Sequence, residues 1–146
     1  MTRDLQLRGA QATDLHAIAA LLERCGLHAA DIEPLLPWFH VAAMDGRVVG
    51  CAGAERYGKS VVVRSVAVLP EYRDRGIASH LVQSVLTRAR ADGCRHAVLL
   101  SASCPSYFAR YGFSLVTASR LPPEVLASAE FHRDAGVPAL CMQCVL

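Results

Sequence analysis

One segment constrains the fold more than any other: an apolar, β-branched run that stops at a proline and leads into a helix. Val61 to Val68 is almost continuously apolar, which is typical of a strand buried on both faces, and Arg64 is its exception. Pro70 ends this strand, and Gly76 begins a helix with an apolar stripe on one face. The sequence therefore predicts a buried strand, a short loop and a long helix in succession.

Other elements surround this unit. An Asp45-Gly46 turn predicts a hairpin before the buried strand, and a strand–helix–strand unit follows it, so we expect a mixed sheet with helices on both faces. The expected strands are 5–8, 39–44, 47–55, 61–68, 97–101, 113–117 and 139–145. The expected helices are 15–22, a short one at 31–36, 76–92, a short one after Ser103 or Cys104, and a partial helix within 121–131.

Composition excludes several classes of protein. The chain has 146 residues, of which 53% are hydrophobic, so we expect one folded domain over 1–146. A net charge of +2 gives no electrostatic case for a nucleic acid or an anionic membrane. The longest apolar run is the short segment 17–22, which predicts no membrane span, and residues 1–4 do not resemble a signal peptide. We therefore expect a cytoplasmic protein whose six cysteines are reduced.

The loop between the buried strand and the long helix has the parts of a phosphate or pyrophosphate site. The first amides of a helix have no intrahelical partner, and the helix dipole adds positive charge there. Arg73 and Arg75 lie in the loop, while Gly76 and Ala78 allow a bulky ligand to approach the backbone. An ordinary strand–turn–helix corner explains these residues equally well.

Two motifs together resemble a known family. Arg73-x-x-Gly76-x-Ala78, after a strand ending in Val-x-Pro, resembles the acetyl-CoA motif of the GNAT N-acetyltransferase superfamily. Residues 107–113, Tyr-Phe-Ala-Arg-Tyr-Gly-Phe, resemble its later aromatic motif, and the resemblance covers 5–146. It implies the GNAT fold: a central, mostly antiparallel sheet with a splayed parallel strand pair and helices on both faces. It also implies an enzyme that uses acetyl-CoA as acetyl donor.

Further segments resemble a subgroup of that family. Residues 53–58, 64–68, 107–113 and the tail 129–131 are similar to small acetyltransferases associated with arsenic resistance, which resemble the amino-acid N-acetyltransferases of the arginine pathway. This resemblance implies that the acceptor is a small amine: an amino acid, or a phosphinate or arsinate analogue of one.

The resemblance also assigns the donor site. It implies that the backbone of the buried strand holds the pantetheine and that amides of the loop and helix hold the pyrophosphate, with two arginines beside it. The residues assigned to acetyl-CoA are Val66, Ala67, Val68, Arg73, Asp74, Arg75, Gly76, Ile77, Ala78, Ser79 and Phe108. The Val68 amide would stabilise the oxyanion of the tetrahedral intermediate.

Charged residues on two apolar strands are candidates for the acceptor site. Glu55 would take the proton of the acceptor amine, directly or through water, or would anchor its ammonium; alternatively it lies in solvent or pairs with Arg56. A buried Arg64 needs an acid, which is Glu55 or Glu130 in a structural role, or the acceptor's anion in a functional one. Arg56 and Glu130 are further candidates for substrate binding.

The acid that protonates the coenzyme A thiolate is harder to identify. Many members of the family have Tyr four residues before the glycine of the later motif, but this chain has Phe108, which cannot donate a proton. Tyr111 is nearest to the pattern and is the candidate; a core aromatic is its alternative. Tyr107, Ser103 and Cys104 lie close by in the sequence, and water can also serve.

Two other functions stay open. The missing tyrosine favours a non-catalytic GNAT module that senses acyl-CoA, and the six cysteines favour a thiol-based metalloid-binding protein. Cys141 and Cys144 are three residues apart on an expected strand and so point to opposite faces; we predict no metal site. The terminal strand is expected to be exposed, which offers an edge for a homodimer.

Overall fold

In the computed structural model, residues 5–100, 105–128 and 140–146 are described, and within them the chain forms seven strands and four α-helices. The strands are β1 (Leu5–Gly9), β2 (His40–Met44), β3 (Arg47–Tyr57), β4 (Ser60–Val68), β5 (His96–Leu99), β6 (Ser114–Val116) and β7 (Cys141–Val145). The helices are α1 (Leu15–Arg24), α2 (Ile77–Ala91), α3 (Pro105–Ala109) and α4 (Pro123–Leu126). Short 3₁₀ turns occupy Ala12–Asp14, Glu33–Trp38, Pro70–Tyr72 and Ala118–Arg120.

The strands form one mixed sheet in the order β1-β2-β3-β4-β5-β7-β6. β4 and β5 run parallel, and their register joins Ser60–Val62 to His96–Val98. The pairs β1–β2, β2–β3, β5–β7 and β6–β7 are antiparallel. The predicted mixed sheet with a parallel pair is therefore confirmed.

The terminal strand corrects one prediction. The segment 139–145 was expected to be an exposed edge, but β7 lies between β5 and β6 and pairs with both. The short strand β6 precedes it in sequence yet takes the outer position, which strand periodicity alone does not reveal. This strand therefore offers no free edge for a homodimer.

The described chain divides into two compact units. The first unit contains the residues up to Ala54 and Arg64–Val85, and the second contains Glu55–Val63 and the residues from Leu86 onwards. The expectation of one domain over 1–146 stays a prediction. In the first unit, Gly50 allows α2 to lie close to β3, because a Cβ there would be 3.1 Å from Leu81 Cδ1 and 3.3 Å from Ile77 Cγ2. In the second unit, a buried cluster from β4, β5, α4 and β7 includes Val62, Val98, Leu100, Leu121, Val125 and Cys141.

The turn before α1 contains a buried ion pair. Asp14 is only 6% exposed, accepts two hydrogen bonds from Arg8 at 2.6 and 3.0 Å, and accepts a third from the Gln11 N–H at 2.7 Å. The Arg8 bonds are the main reason that the pKa of Asp14 is lowered. A lowered pKa means that this carboxylate stabilises the fold above its unfolded pKa of about 3.9, and that the contribution disappears as the pH falls through its folded value.

Asp14→Asn should therefore lower the free energy of unfolding by about 1–2 kcal/mol at neutral pH, with a smaller loss in acid. Urea unfolding at neutral and at acidic pH measures the two losses of unfolding free energy. Glu71→Gln is the matched control, since Glu71 also forms a two-point contact with an arginine, Arg24, but both side chains are 47% exposed. Equal losses for the two variants would contradict the expected role of burial.

Candidate active site

A kink in β4 lies within the strand that the sequence analysis singled out. Ser65 has a φ of +58°, a left-handed conformation that is uncommon for a residue with a side chain and strained inside a strand. Cys51 Sγ donates to the Ser65 carbonyl at 3.3 Å. The continuous burial of Ser60–Val63 is interrupted here, because Arg64, Ser65 and Val66 are all half-buried. The kink therefore interrupts the regular strand just before the segment Val66–Val68, as bulges beside active sites do.

The end of β4 is held by contacts from two other elements of its unit. The Val68 carbonyl accepts a hydrogen bond from Arg73 Nε at 2.9 Å and a weaker one from Cys25 Sγ at 3.7 Å. The next amide, that of Leu69, donates to Val49 O at 2.9 Å. Arg73, predicted to flank a pyrophosphate, thus also anchors the loop to the strand end.

Side chains fix the loop that follows. Glu71 forms a two-point ion pair with Arg24, at 2.7 and 3.1 Å. Arg75 lies over the Tyr72 ring at 5.3 Å and donates to Glu71 O at 3.2 Å. The Tyr72 N–H donates to Leu69 O at 2.9 Å and closes the turn. The loop therefore has a defined path towards α2.

The N-terminus of α2 is open to a ligand. Asp74 and Gly76 both have positive φ, +62° and +78°, and turn the chain into the helix. The first α-helical bond here runs from His80 N to Gly76 O at 3.2 Å. A Cβ built on Gly76 would meet no atom within 4 Å, so the side of Gly76 on which a side chain would lie is open. The first amides of a helix, the helix dipole and open space beside them are the requirements of an anion site.

An aromatic cluster in the second unit surrounds a pair of hydroxyl groups. Tyr111 Oη donates to Tyr107 Oη at 2.8 Å, and their ring centroids are 5.4 Å apart. Phe108 packs edge-on against Tyr107 at 5.2 Å and against Phe113 at 6.0 Å. The sequence analysis named both tyrosines but did not anticipate their hydrogen bond. Their four-residue spacing is a partial signal for it, since α3 ends at Ala109 and the loop that follows sets the contact.

The acceptor candidates take different positions. Glu55 is half-buried near the end of β3, and its Oε2 is shielded from solvent. Arg64 is half-buried, and its Nε donates to Ser65 Oγ at 3.2 Å. Arg56 is exposed and donates to Gly58 O at 2.9 Å, which stabilises the turn between β3 and β4. Glu130 lies outside the described residues, as do Ser103 and Cys104.

The cysteines have separate surroundings. Cys141 Sγ lies 3.8 Å from Leu100 O, whereas Cys144 Sγ lies 3.5 Å from Tyr111 O. Burial raises the pKa of Cys144 and raises that of Cys51 to about 12. Within 5–100, 105–128 and 140–146, no three His, Cys, Asp or Glu side chains group in a way that could hold a metal ion.

No helix in the described parts of the chain is long and apolar enough to cross a membrane.

Comparisons with known proteins agree with this geometry. The model of the Acetyltransferase (GNAT) family matches residues 7–113. The amino-acid acetyltransferase of Pseudomonas fluorescens is 27% identical over 108 residues, which cover 73% of this chain and 25% of the relative. This chain spans only about a quarter of the length of the curated relatives that it matches.

Solved structures share the fold. N-acetylglutamate synthase from Neisseria gonorrhoeae, complexed with coenzyme A and N-acetyl-glutamate, has a TM-score of 0.85 at 24% identity, over 100% of this chain and 36% of that one. Rv2747 from Mycobacterium tuberculosis, in complex with CoA and NLQ, has a TM-score of 0.83 at 24% identity, over 97% and 99% of the two chains. The family match over most of the chain and the shared fold lead to one conclusion: this protein belongs to the GNAT family of acetyltransferases.

Proposed function

We propose that the protein transfers an acetyl group from acetyl-CoA to the amine of a small, amino-acid-like acceptor. The observation that carries this proposal is the open, glycine-led N-terminus of α2, reached through a loop whose path is fixed by side-chain contacts. Membership of the GNAT family supports the reaction type. The names of the curated relatives, amino-acid acetyltransferases, support the class of acceptor.

Acetyl-CoA fits the residues of the first unit. The backbone of Val66, Ala67 and Val68 would hold the pantetheine in the manner of an added strand. The amides from Asp74 to Ser79 would hold the pyrophosphate, with Arg73 and Arg75 beside it. Gly76 leaves the approach open, since a Cβ there meets nothing within 4 Å. The assignment of Phe108 to the cofactor stays a prediction.

The reaction needs three contributions from groups of the protein. Glu55 would take the proton from the acceptor ammonium, because only a neutral amine has the lone pair that attacks the thioester carbon. The Val68 N–H would stabilise the oxyanion that forms as the carbon–nitrogen bond is made. When the carbon–sulfur bond breaks, the electron pair leaves on sulfur, and the resulting thiolate is protonated by the tyrosine pair or by water.

The geometry of the tyrosine pair leads to a prediction about Tyr111. Its hydroxyl shares a hydrogen bond of 2.8 Å with Tyr107 Oη, so we expect Tyr111 to be a poor proton donor to the thiolate. Tyr111→Phe should therefore lower kcat less than tenfold, about 1.4 kcal/mol at most. Steady-state kinetics at saturating acetyl-CoA measures it. A loss of a hundredfold or more with normal cofactor binding would show that Tyr111 is the acid.

Arg64 is proposed to bind the acceptor's anionic group. Its planar guanidinium suits a carboxylate, and equally a phosphinate or arsinate, the acceptors expected if the protein belongs to the arsenic-resistance subgroup. Glu130 is proposed as a further substrate-binding residue. Arg56, whose Nε is occupied by Gly58 O, is a weaker candidate.

Arg64→Ala should raise KM about tenfold or more for an anionic amine and change it little for a neutral amine of similar size. The two values of kcat/KM, with a thermal melt, provide the test. Arg90→Ala is the control, because it removes an exposed arginine of α2 that the proposed function does not use. Equal losses on both acceptors together with a lower Tm would instead indicate that Arg64 neutralises an internal acid.

Mass spectrometry after incubation with acetyl-CoA tests the function as a whole. The acceptor panel should contain proteinogenic amino acids together with phosphinate and arsinate amino acids, and the expected result is the mass of one added acetyl group on at least one of them. The presence of Phe108 in place of the usual tyrosine favours one alternative, a module that senses acyl-CoA without turnover. Tight acetyl-CoA binding with no acetylated amine anywhere in the panel would support that alternative.

A further inference from the structure

A second cavity lies within the second unit, with a volume of about 580 Å³. None of the residues proposed above for acetyl-CoA or the acceptor lines it. It opens beside the turn between β3 and β4, the start of β5 and the segment before α4. The residues that bear on its chemistry are Lys59, Arg95, His96, Arg120, Glu124 and Gln143.

Three cationic side chains line this cavity, namely Lys59, Arg95 and Arg120. All three are exposed, and no carboxylate of the described residues forms an ion pair with any of them. Three like charges around one concave surface repel each other and attract anions. Among the described residues that line the cavity, three cations therefore outnumber one carboxylate, that of Glu124.

Two residues with hydrogen-bond acceptors, Glu124 and Gln143, also line the cavity. Glu124 accepts a bond from the buried Ser60 hydroxyl at 2.8 Å. A hydrogen bond from the Glu124 backbone N–H, and next the bond from the Ser60 hydroxyl, lower the pKa of the Glu124 carboxyl. The carboxylate is therefore charged at neutral pH. Gln143 Oε1 is buried and has no hydrogen-bond partner among the described residues. A buried carbonyl without a donor costs stability unless a ligand or water supplies one.

The cavity is framed by the backbone and by apolar side chains. The Lys59 carbonyl accepts hydrogen bonds from the Arg95 N–H at 2.6 Å and the His96 N–H at 3.4 Å, which joins the turn to the start of β5. Gly58 packs next to Glu124, where a Cβ would lie 3.6 Å from the Glu124 Cγ. Leu121 and Pro122 are buried and form one wall. The backbone that carries Lys59, Arg95 and Glu124 is therefore held together at this cavity.

We propose that this cavity is a second binding site, for a small organic anion that carries a hydrogen-bond donor. The carboxylates of such a ligand would lie between Arg95, Arg120 and Lys59. Its hydroxyl or ammonium group would donate to Gln143 Oε1 and to the Glu124 carboxylate. Hydroxy acids and amino acids share this chemistry, and the volume suits a molecule of that size.

Titrations followed by backbone amide NMR test the proposal on the full chain without acetyl-CoA. The probes are three four-carbon dicarboxylates: succinate has no hydrogen-bond donor, L-malate has a hydroxyl and L-aspartate has an ammonium group. The cationic control is 1,4-diaminobutane. Malate and aspartate should bind more tightly than succinate, and the diamine should not bind. Saturable shifts should centre on Lys59, Arg95 and Gln143. Tighter binding of malate or of aspartate then tells which donor the site prefers.

Two variants separate the contribution of the cationic side chains from that of the hydrogen-bond acceptor. Arg120→Ala should weaken binding of all three anions about tenfold or more, as expected for a charge-assisted hydrogen bond, whereas Arg90→Ala, an exposed arginine outside the cavity, should change nothing. Gln143→Leu should bring the affinity for malate closer to that for succinate, because only the Glu124 acceptor remains, and should leave succinate unchanged. No saturable shifts at these residues, or shifts that Arg120→Ala does not weaken, would overturn the proposal. Neither outcome depends on whether the protein acetylates an amine.

Discussion

Replacing Gly76 with valine is expected to weaken acetyl-CoA binding about a hundredfold while the chain stays folded. The open space beside Gly76 is where the proposed pyrophosphate reaches the amides of α2, and a branched side chain would occupy it. A hundredfold loss is about 2.7 kcal/mol, the worth of one or two charge-assisted hydrogen bonds. Calorimetric titration with acetyl-CoA measures the affinity directly.

A control for Gly76→Val is available at the other end of the same helix. Gly93 has a φ of +81° and, like Gly76, would place a Cβ in open space. Gly93→Val therefore carries the same backbone strain, about 1–2 kcal/mol, without entering the proposed site. Both variants should lose similar stability, and only Gly76→Val should lose affinity. Unchanged acetyl-CoA affinity in folded Gly76→Val would rule out this loop as the pyrophosphate site.

Glu55→Gln is expected to lower kcat about a hundredfold at neutral pH, the lower range for loss of a general base. The amide keeps the shape of the side chain but cannot accept the proton of the acceptor ammonium. Raising the pH should partly restore kcat, because solvent then supplies the neutral amine. A profile of kcat against pH for the variant and the parent protein measures the rescue.

The same substitution at an exposed carboxylate, Glu23→Gln, is the control and should leave the profile unchanged. If Glu55 only anchors the acceptor ammonium, Glu55→Gln should raise KM and leave kcat nearly intact at every pH. That result would contradict the proposed base.

Hydrophobic periodicity and turn residues predicted most of the element order. The Asp45-Gly46 hairpin, the strand that ends before Pro70 and the helix after Gly76 all lie where expected, because each is specified by local chemistry. The segment 33–38 departs from expectation: it is a 3₁₀ turn that contains Pro37, whose missing N–H and ring disfavour a regular α-helix there. The position of β7 between two strands depends on long-range pairing, which local patterns do not contain.

The candidate site was predictable in its location and not in its details. Gly76 stands out in the sequence because few residues tolerate its conformation. In contrast, nothing in the apolar run of β4 predicts the left-handed Ser65, since serine has no special preference for that conformation. The bond from Arg73 to the Val68 carbonyl and the hydroxyl pair of Tyr107 and Tyr111 require the loop paths, which only the folded chain sets.

The thiol that contacts the kink of β4 bears on chemical selectivity. Thioesters exchange readily with thiolates, so a reactive cysteine behind the strand proposed to bind acetyl-CoA would compete with the amine for the acetyl group. Burial raises the pKa of Cys51 to about 12. At neutral pH this thiol therefore stays protonated. The same burial that lets Cys51 hydrogen-bond to Ser65 thus keeps its sulfur from becoming an acetyl acceptor.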